Sequence, residues 1–83
     1  MMKKFIVNQD RDEAIELQGG VALARPTKNR PFHQIVIYDG CDWFALGNYN
    51  SEKKAEQVFQ CLLGFIAQQS SSLFYMPEDE KCN

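Results

Sequence analysis

Apolar and polar positions along this chain first alternate with a period of two and then recur with a period near 3.6, and the change falls at Tyr49-Asn50-Ser51-Glu52. Before that switch, Ile35-Val36-Ile37 and Phe44-Ala45-Leu46 flank the turn signal Tyr38-Asp39-Gly40-Cys41-Asp42-Trp43. Asp-Gly between two apolar runs predicts a β-hairpin over residues 32–49. A two-residue turn pairs Tyr38 with Cys41 and a four-residue turn pairs it with Trp43, and both keep the same faces together. Strand alternation then places Ile35, Ile37, Phe44 and Leu46 on one face and Val36, Tyr38, Trp43, Ala45 and Tyr49 on the other. Neither face is polar. A single helix covers one of them, so the aromatic face needs cover from the C-terminal segment, another subunit or a ligand.

After the switch, Asn50 or Ser51 offers an N-cap and Glu52 suits the positive end of a helix dipole. Ala55, Val58, Phe59, Leu62, Phe65 and Ile66 follow the i, i+3, i+4, i+7 stripe of a core-facing helix, about four to five turns long. Gly64 within it predicts close approach by a neighbour or an early end to the regular helix. Upstream, residues 3–8 read as a short strand, 9–13 as a polar turn and 14–17 as a half-buried strand, with a helical turn over 11–17 as the alternative. Gly19-Gly20, able to take positive φ, predicts a hairpin from residues 14–17 into a strand over 21–24, and Pro26 and Pro31 bracket an exposed connection. Leu73-Phe74-Tyr75-Met76 before Pro77 is a compact run of strand type expected to dock back, followed over 78–83 by a charged flexible tail. The sum is a single α+β domain over residues 1–77: a small antiparallel β-meander packed on one C-terminal amphipathic helix, with a short closing strand.

This order of parts resembles small uncharacterised proteins of Gram-positive bacteria and their phages. The resemblance rests on Phe5-Ile6-Val7-Asn8-Gln9-Asp10, a strand pair ending in Leu46-Gly47-Asn48-Tyr49, Ser51-Glu52-x-x-Ala55 opening the helix, and a closing Phe74-Tyr75-Met76-Pro77-Glu78. It covers most of the chain and implies a meander plus one helix with a mobile-element origin, and it brings no activity with it. Relatives of this kind often carry an acidic residue beside Glu52, where this chain has Lys53-Lys54, so a full capping box is absent.

Length and charge narrow the function. At 83 residues the chain builds one core, and a domain of this size hides only roughly 60% of its unfolded surface. Nine basic and eleven acidic residues give a net charge of −2, which offers no general attraction to DNA or anionic lipid, so any anion site is local. Cys41, Cys61 and Cys82 lie too far apart for a zinc knuckle or redox pair, and an odd count cannot close a disulfide framework; a cytoplasmic protein is expected. The apolar stretch Phe5-Ile6-Val7 after Met1-Met2-Lys3-Lys4 is well short of a signal-peptide core, and residues 58–67 are about half of the roughly 20 apolar residues a spanning helix needs.

No catalytic or cofactor motif is present, and neither a metal nor a cofactor is expected. His33, the one histidine, has Pro31 and Phe32 before it and no orienting partner in sequence, so it reads as a strand histidine rather than an acid or base. Cys41 reads as an accessible turn cysteine and Cys61 as a partly buried neighbour of the helix stripe. Two features remain. Arg25, Lys28 and Arg30 in the proline-bounded connection, with His33 following, could hold a phosphate by charge. Tyr38, Trp43 and Tyr49 form an aromatic face suited to stacking or an interface. They lead to a non-enzymatic binding protein, phage or mobile-element encoded, forming a homo-oligomer and acting as a counter-defence sponge for a nucleotide-type signal. The alternative is a protein–protein inhibitor or adaptor of a host factor acting through the aromatic face.

Overall fold

A computed structural model describes residues 3–68 and 72–79. The elements follow in the order β1 (Phe5–Val7), β2 (Ala14–Glu16), β3 (Val21–Ala24), β4 (His33–Tyr38), β5 (Trp43–Tyr49), α1 (Glu52–Ala67) and β6 (Leu73–Tyr75), an α+β architecture as the alternation predicts. The strands divide into two three-stranded sheets, ordered β2-β1-β6 and β3-β4-β5. The second is the antiparallel meander. In the first, β1 and β2 form a hairpin while β6 runs parallel to β1, with Phe5 opposite Leu73 and Val7 opposite Tyr75. Within residues 11–17, Ala14–Glu16 is therefore strand and no helical turn forms.

The core cluster draws on both sheets and the helix: Ile6, Ile35, Ile37, Leu46, Tyr49, Ala55, Val58, Leu62, Phe65 and Met76 are buried together. From the helix come Ala55, Val58, Leu62 and Phe65, the centre of the predicted stripe, with Phe59 and Ile66 half-buried at its margins. Ser51 is the N-cap, its hydroxyl accepting from the Lys54 N–H at 3.2 Å. No basic residue lies in the helix's last turn, and the residue before β1 supplies one instead: the Lys4 ammonium donates to the carbonyls of Phe65 and Gln68 and lies 4.6 Å from the Phe65 ring centre. Gly64 causes neither of the effects its presence predicts. The helix continues to Ala67, and a Cβ added at Gly64 meets nothing within 4 Å.

The β4–β5 hairpin pairs Tyr38 with Trp43, Ile37 with Phe44 and Val36 with Ala45, and then a bulge intervenes before Ile35 pairs with Gly47 and His33 with Tyr49. Leu46 is the extra residue. Because side chains alternate, one added residue flips every later position to the other face. Tyr49 therefore leaves the aromatic face on which strict alternation puts it and enters the core at 0% exposure. Gly47 makes room for it: a Cβ there would stand 3.1 Å from the Tyr49 hydroxyl. At the hairpin tip the Asp39 carboxylate accepts from the N–H groups of Cys41 and Asp42, and Gly40 takes a φ of 104°, which only glycine adopts freely.

Candidate functional site

The outer face of the β3-β4-β5 sheet follows from the register. Ala22 lies beside Val36, Val36 beside Ala45, and Tyr38 beside Trp43, all pointing away from the face that carries buried Ile35 and Ile37. Three short or branched aliphatic positions thus lead to an aromatic pair whose ring centres lie 5.0 Å apart. Gln34 and Asn48 close the other end, the Gln34 amide donating to the Asn48 side chain at 3.0 Å. Trp43 is 54% exposed. The closing strand does not cover it, since β6 pairs with β1 in the other sheet. Of the three predicted aromatics, then, Tyr38 and Trp43 share the exposed face and Tyr49 does not.

The turn beside Trp43 is acidic, carrying Asp39 and Asp42. On the opposite face of the hairpin, a cleft of about 280 Å³ is lined by Glu13, Glu16, Asp39 and the exposed Phe44. A second apolar surface lies on the outer side of the other sheet, where Phe5, Leu73 and Tyr75 are exposed and the Arg11 guanidinium stacks 4.9 Å from the Tyr75 ring centre. That arginine partly screens Tyr75, whereas Trp43 is paired with the Tyr38 ring.

The basic connection is organised for its own loop. Thr27 and Arg30 exchange backbone hydrogen bonds of 2.9 and 3.2 Å and close a tight turn. The Arg30 guanidinium then donates to the carbonyls of Phe32 at 2.8 Å and Arg25 at 2.7 Å. Arg25 forms an exposed ion pair with Glu52 at 3.3 Å. Lys28 stands at the turn tip, exposed. His33, expected beside these cations as a ligand-binding residue, is instead buried at 7% exposure on the core side of β4. Its Nδ1 has no hydrogen-bond partner among the described residues, a burial that costs about 1–3 kcal/mol. Alternation explains the placement: His33 is two residues before Ile35 and four before Ile37, and the helix covers that face.

A third cluster, invisible in the sequence, joins segments far apart in the chain. The Gln9 N–H donates to the Leu46 carbonyl at 2.7 Å, at the bulge. Its side-chain amide then accepts from the Asn48 N–H at 2.8 Å and donates to the Asn48 carbonyl at 3.0 Å. In this way one glutamine pairs with β5 as a neighbouring strand residue would. The Tyr49 hydroxyl donates to the Pro77 carbonyl at 2.6 Å, and the Asp79 carboxylate accepts from the Asn50 N–H at 3.1 Å. Burial, with the negative charge of Asp79 as a second contribution, pushes the Tyr49 phenol up to about 12. This junction is structural: its polar groups face one another rather than a cavity.

Cys41 is exposed in the turn, and Cys61, expected partly buried, is exposed on the helix; Cys82 lies outside the described residues. Among the described residues, no three His, Cys, Asp or Glu side chains gather as metal ligands, and no helix is long and apolar enough to cross a membrane. Set against family models, curated proteins and solved structures, the chain finds no match in any of the three.

Proposed function

We propose that this chain is a small non-enzymatic binding protein that captures another protein through the outer face of its β3-β4-β5 sheet, in the manner of an inhibitor or adaptor. One observation carries the reading: Trp43 is more than half exposed, paired with Tyr38, and continuous with a strip of small aliphatic side chains. Tryptophan and tyrosine dominate interface energetics because each gives a large rigid apolar area for few frozen torsions. The acidic turn beside Trp43 favours a partner whose apolar pocket is rimmed by basic groups. A host factor met by a phage or mobile-element protein is the setting that the resemblance implies. The competing nucleotide-sponge reading is less well served. Arg30 is bonded to its own loop and His33 is buried in the core, which leaves of that set Lys28 at the tip of the connection and Arg25 in a solvent-exposed ion pair with Glu52.

The test compares capture by the native chain with capture by Trp43→Ala, Tyr75→Ala and Arg25→Ala. A partner held by the native chain should be lost on Trp43→Ala, by about thirty-fold or more in affinity if Trp43 is a hot spot, and kept by the other two. Loss on Arg25→Ala with Trp43→Ala unaffected, accompanied by a thermal shift with a nucleotide, returns the function to the basic connection. Loss on Tyr75→Ala alone moves it to the other sheet.

A further inference from the structure

Two edges bound the β3-β4-β5 sheet, and they are finished differently. Along β5, Gln9 occupies the backbone groups of Asn48 and the carbonyl of Leu46. Along β3, no element of the described residues does the same. The Tyr38 N–H donates to the Gly20 carbonyl at 2.8 Å, and this bond sets the phase of the ladder. Gly20, Ala22 and Ala24 direct their backbone groups toward β4, while Val21 and Leu23 direct theirs outward. The strand reads Val-Ala-Leu-Ala, with none of the charges, prolines or bulges that normally blunt an edge. Between it and α1 runs a groove of about 1030 Å³, with Leu23 and Phe59 among its apolar lining and Arg25, Lys53 and Glu56 on its walls.

We propose that this edge is a homodimer interface, in which β3 pairs antiparallel with β3 of a second copy and the two meanders become one six-stranded sheet. The ladder phase is self-complementary. A two-fold axis through Ala22 sets Val21 opposite Leu23 of the partner subunit and Leu23 opposite Val21 of the partner subunit. All four are the outward-directed residues, so each pair exchanges two N–H···O bonds. Ala22 then faces its own copy at a non-hydrogen-bonded position, where Cα atoms approach to about 4.5 Å and a methyl group fits. The groove wall is self-complementary as well. It carries Lys53 and Glu56 one turn apart on the helix, so an antiparallel copy offers unlike charge to each. The exposed flanks of Leu23 and Phe59 gain cover from the same residues of the other subunit. Trp43 sits two strands away on β5, so the dimer leaves the Tyr38–Trp43 pair uncovered, while Ala22 belongs to the edge of both surfaces.

The test uses the full chain. Light scattering across a concentration series should give twice the chain mass. Ala22→Lys and Ala22→Glu each set like charges directly opposite one another, and each should run as a monomer; an equimolar mixture of the two should recover the dimer mass. In the native chain, amide exchange at Val21 and Leu23 should slow about tenfold where nine-tenths of the chain is dimeric, while the Asn48 amide, held by Gln9 in either state, should not change with concentration. Monomer mass throughout the series overturns the proposal, as does a dimer that survives both Ala22 variants. Concentration-independent exchange at Val21 and Leu23 overturns it as well, and that measurement needs no variant to fold.

Discussion

The two ends of the β4–β5 hairpin differ in what they do with aromatic rings. At the Tyr49 end the ring is wholly buried, its hydroxyl is bonded to Pro77, and Gln9 stitches the strand to a loop some forty positions upstream. At the Trp43 end the ring stands more than half in solvent beside an acidic turn. A bulge of one residue separates the two outcomes. On the proposed function, stability rests at one end of the hairpin and recognition at the other, so substitutions at one end should leave the property of the other untouched.

Tyr49→Ala is the strongest way to break that separation. Truncating a fully buried aromatic costs about 3–5 kcal/mol, a large share of what so small a domain possesses, and denaturant melts should show it. Trp43→Ala should cost about 2 kcal/mol or more of partner binding, yet shift the unfolding free energy by no more than about 0.5 kcal/mol. A comparable loss of stability at both positions would end the comparison. The Tyr49 phenol sharpens it through pH. Its folded value near 12 lies above the ordinary 10, so the unfolded chain releases this proton first. The stabilisation is complete below pH 10 and falls by at most about 1.4 kcal/mol per pH unit until pH 12. Tyr49→Phe should remove that slope, at a cost of about 1 kcal/mol near neutrality for the lost hydrogen bond to Pro77. The smallest effect runs the other way. Gly64→Ala, at an exposed helical site with open space for the methyl, should stabilise by up to about 1 kcal/mol in the same melts.

Local signals in the sequence account for most of the fold. Asp39-Gly40 marks the hairpin because its turn needs a positive φ, and Ser51 with the stripe from Ala55 to Phe65 marks the helix because capping and period lie within a few residues. What alternation alone cannot reveal is the bulge at Leu46. Gln9, far away in sequence, donates to the Leu46 carbonyl at the bulge, and nothing in a run such as Phe44-Ala45-Leu46-Gly47 distinguishes a bulged strand from a regular one. The misplacement of Tyr49 follows from that single residue. The closing strand was legible as a strand, yet its partner was not, since pairing with β1 is set by topology rather than by its own pattern. At the candidate site, Trp43 and Tyr38 were legible because they precede the bulge in the pairing from the turn. Arg30 was misleading for the opposite reason: a guanidinium near two prolines looks available in sequence, and its bonds to Phe32 and Arg25 exist only once the loop is closed.

The parallel pairing of β1 with β6 joins residues at opposite ends of the chain, Phe5 with Leu73, a separation of 73 − 5 = 68 positions. A chain emerging from the ribosome presents β1 first, and the β1–β2 hairpin alone is marginal in water. Contacts of such long range also slow folding, because the intervening loop must close before they form. The first sheet therefore acquires its third strand, and Met76 enters the core, only after residues 73–76 have been made. Ribosome-bound nascent chains that stop short of residue 73 should hold the meander and the helix without that sheet, and a fusion partner joined after the closing strand determines how soon the two ends can meet.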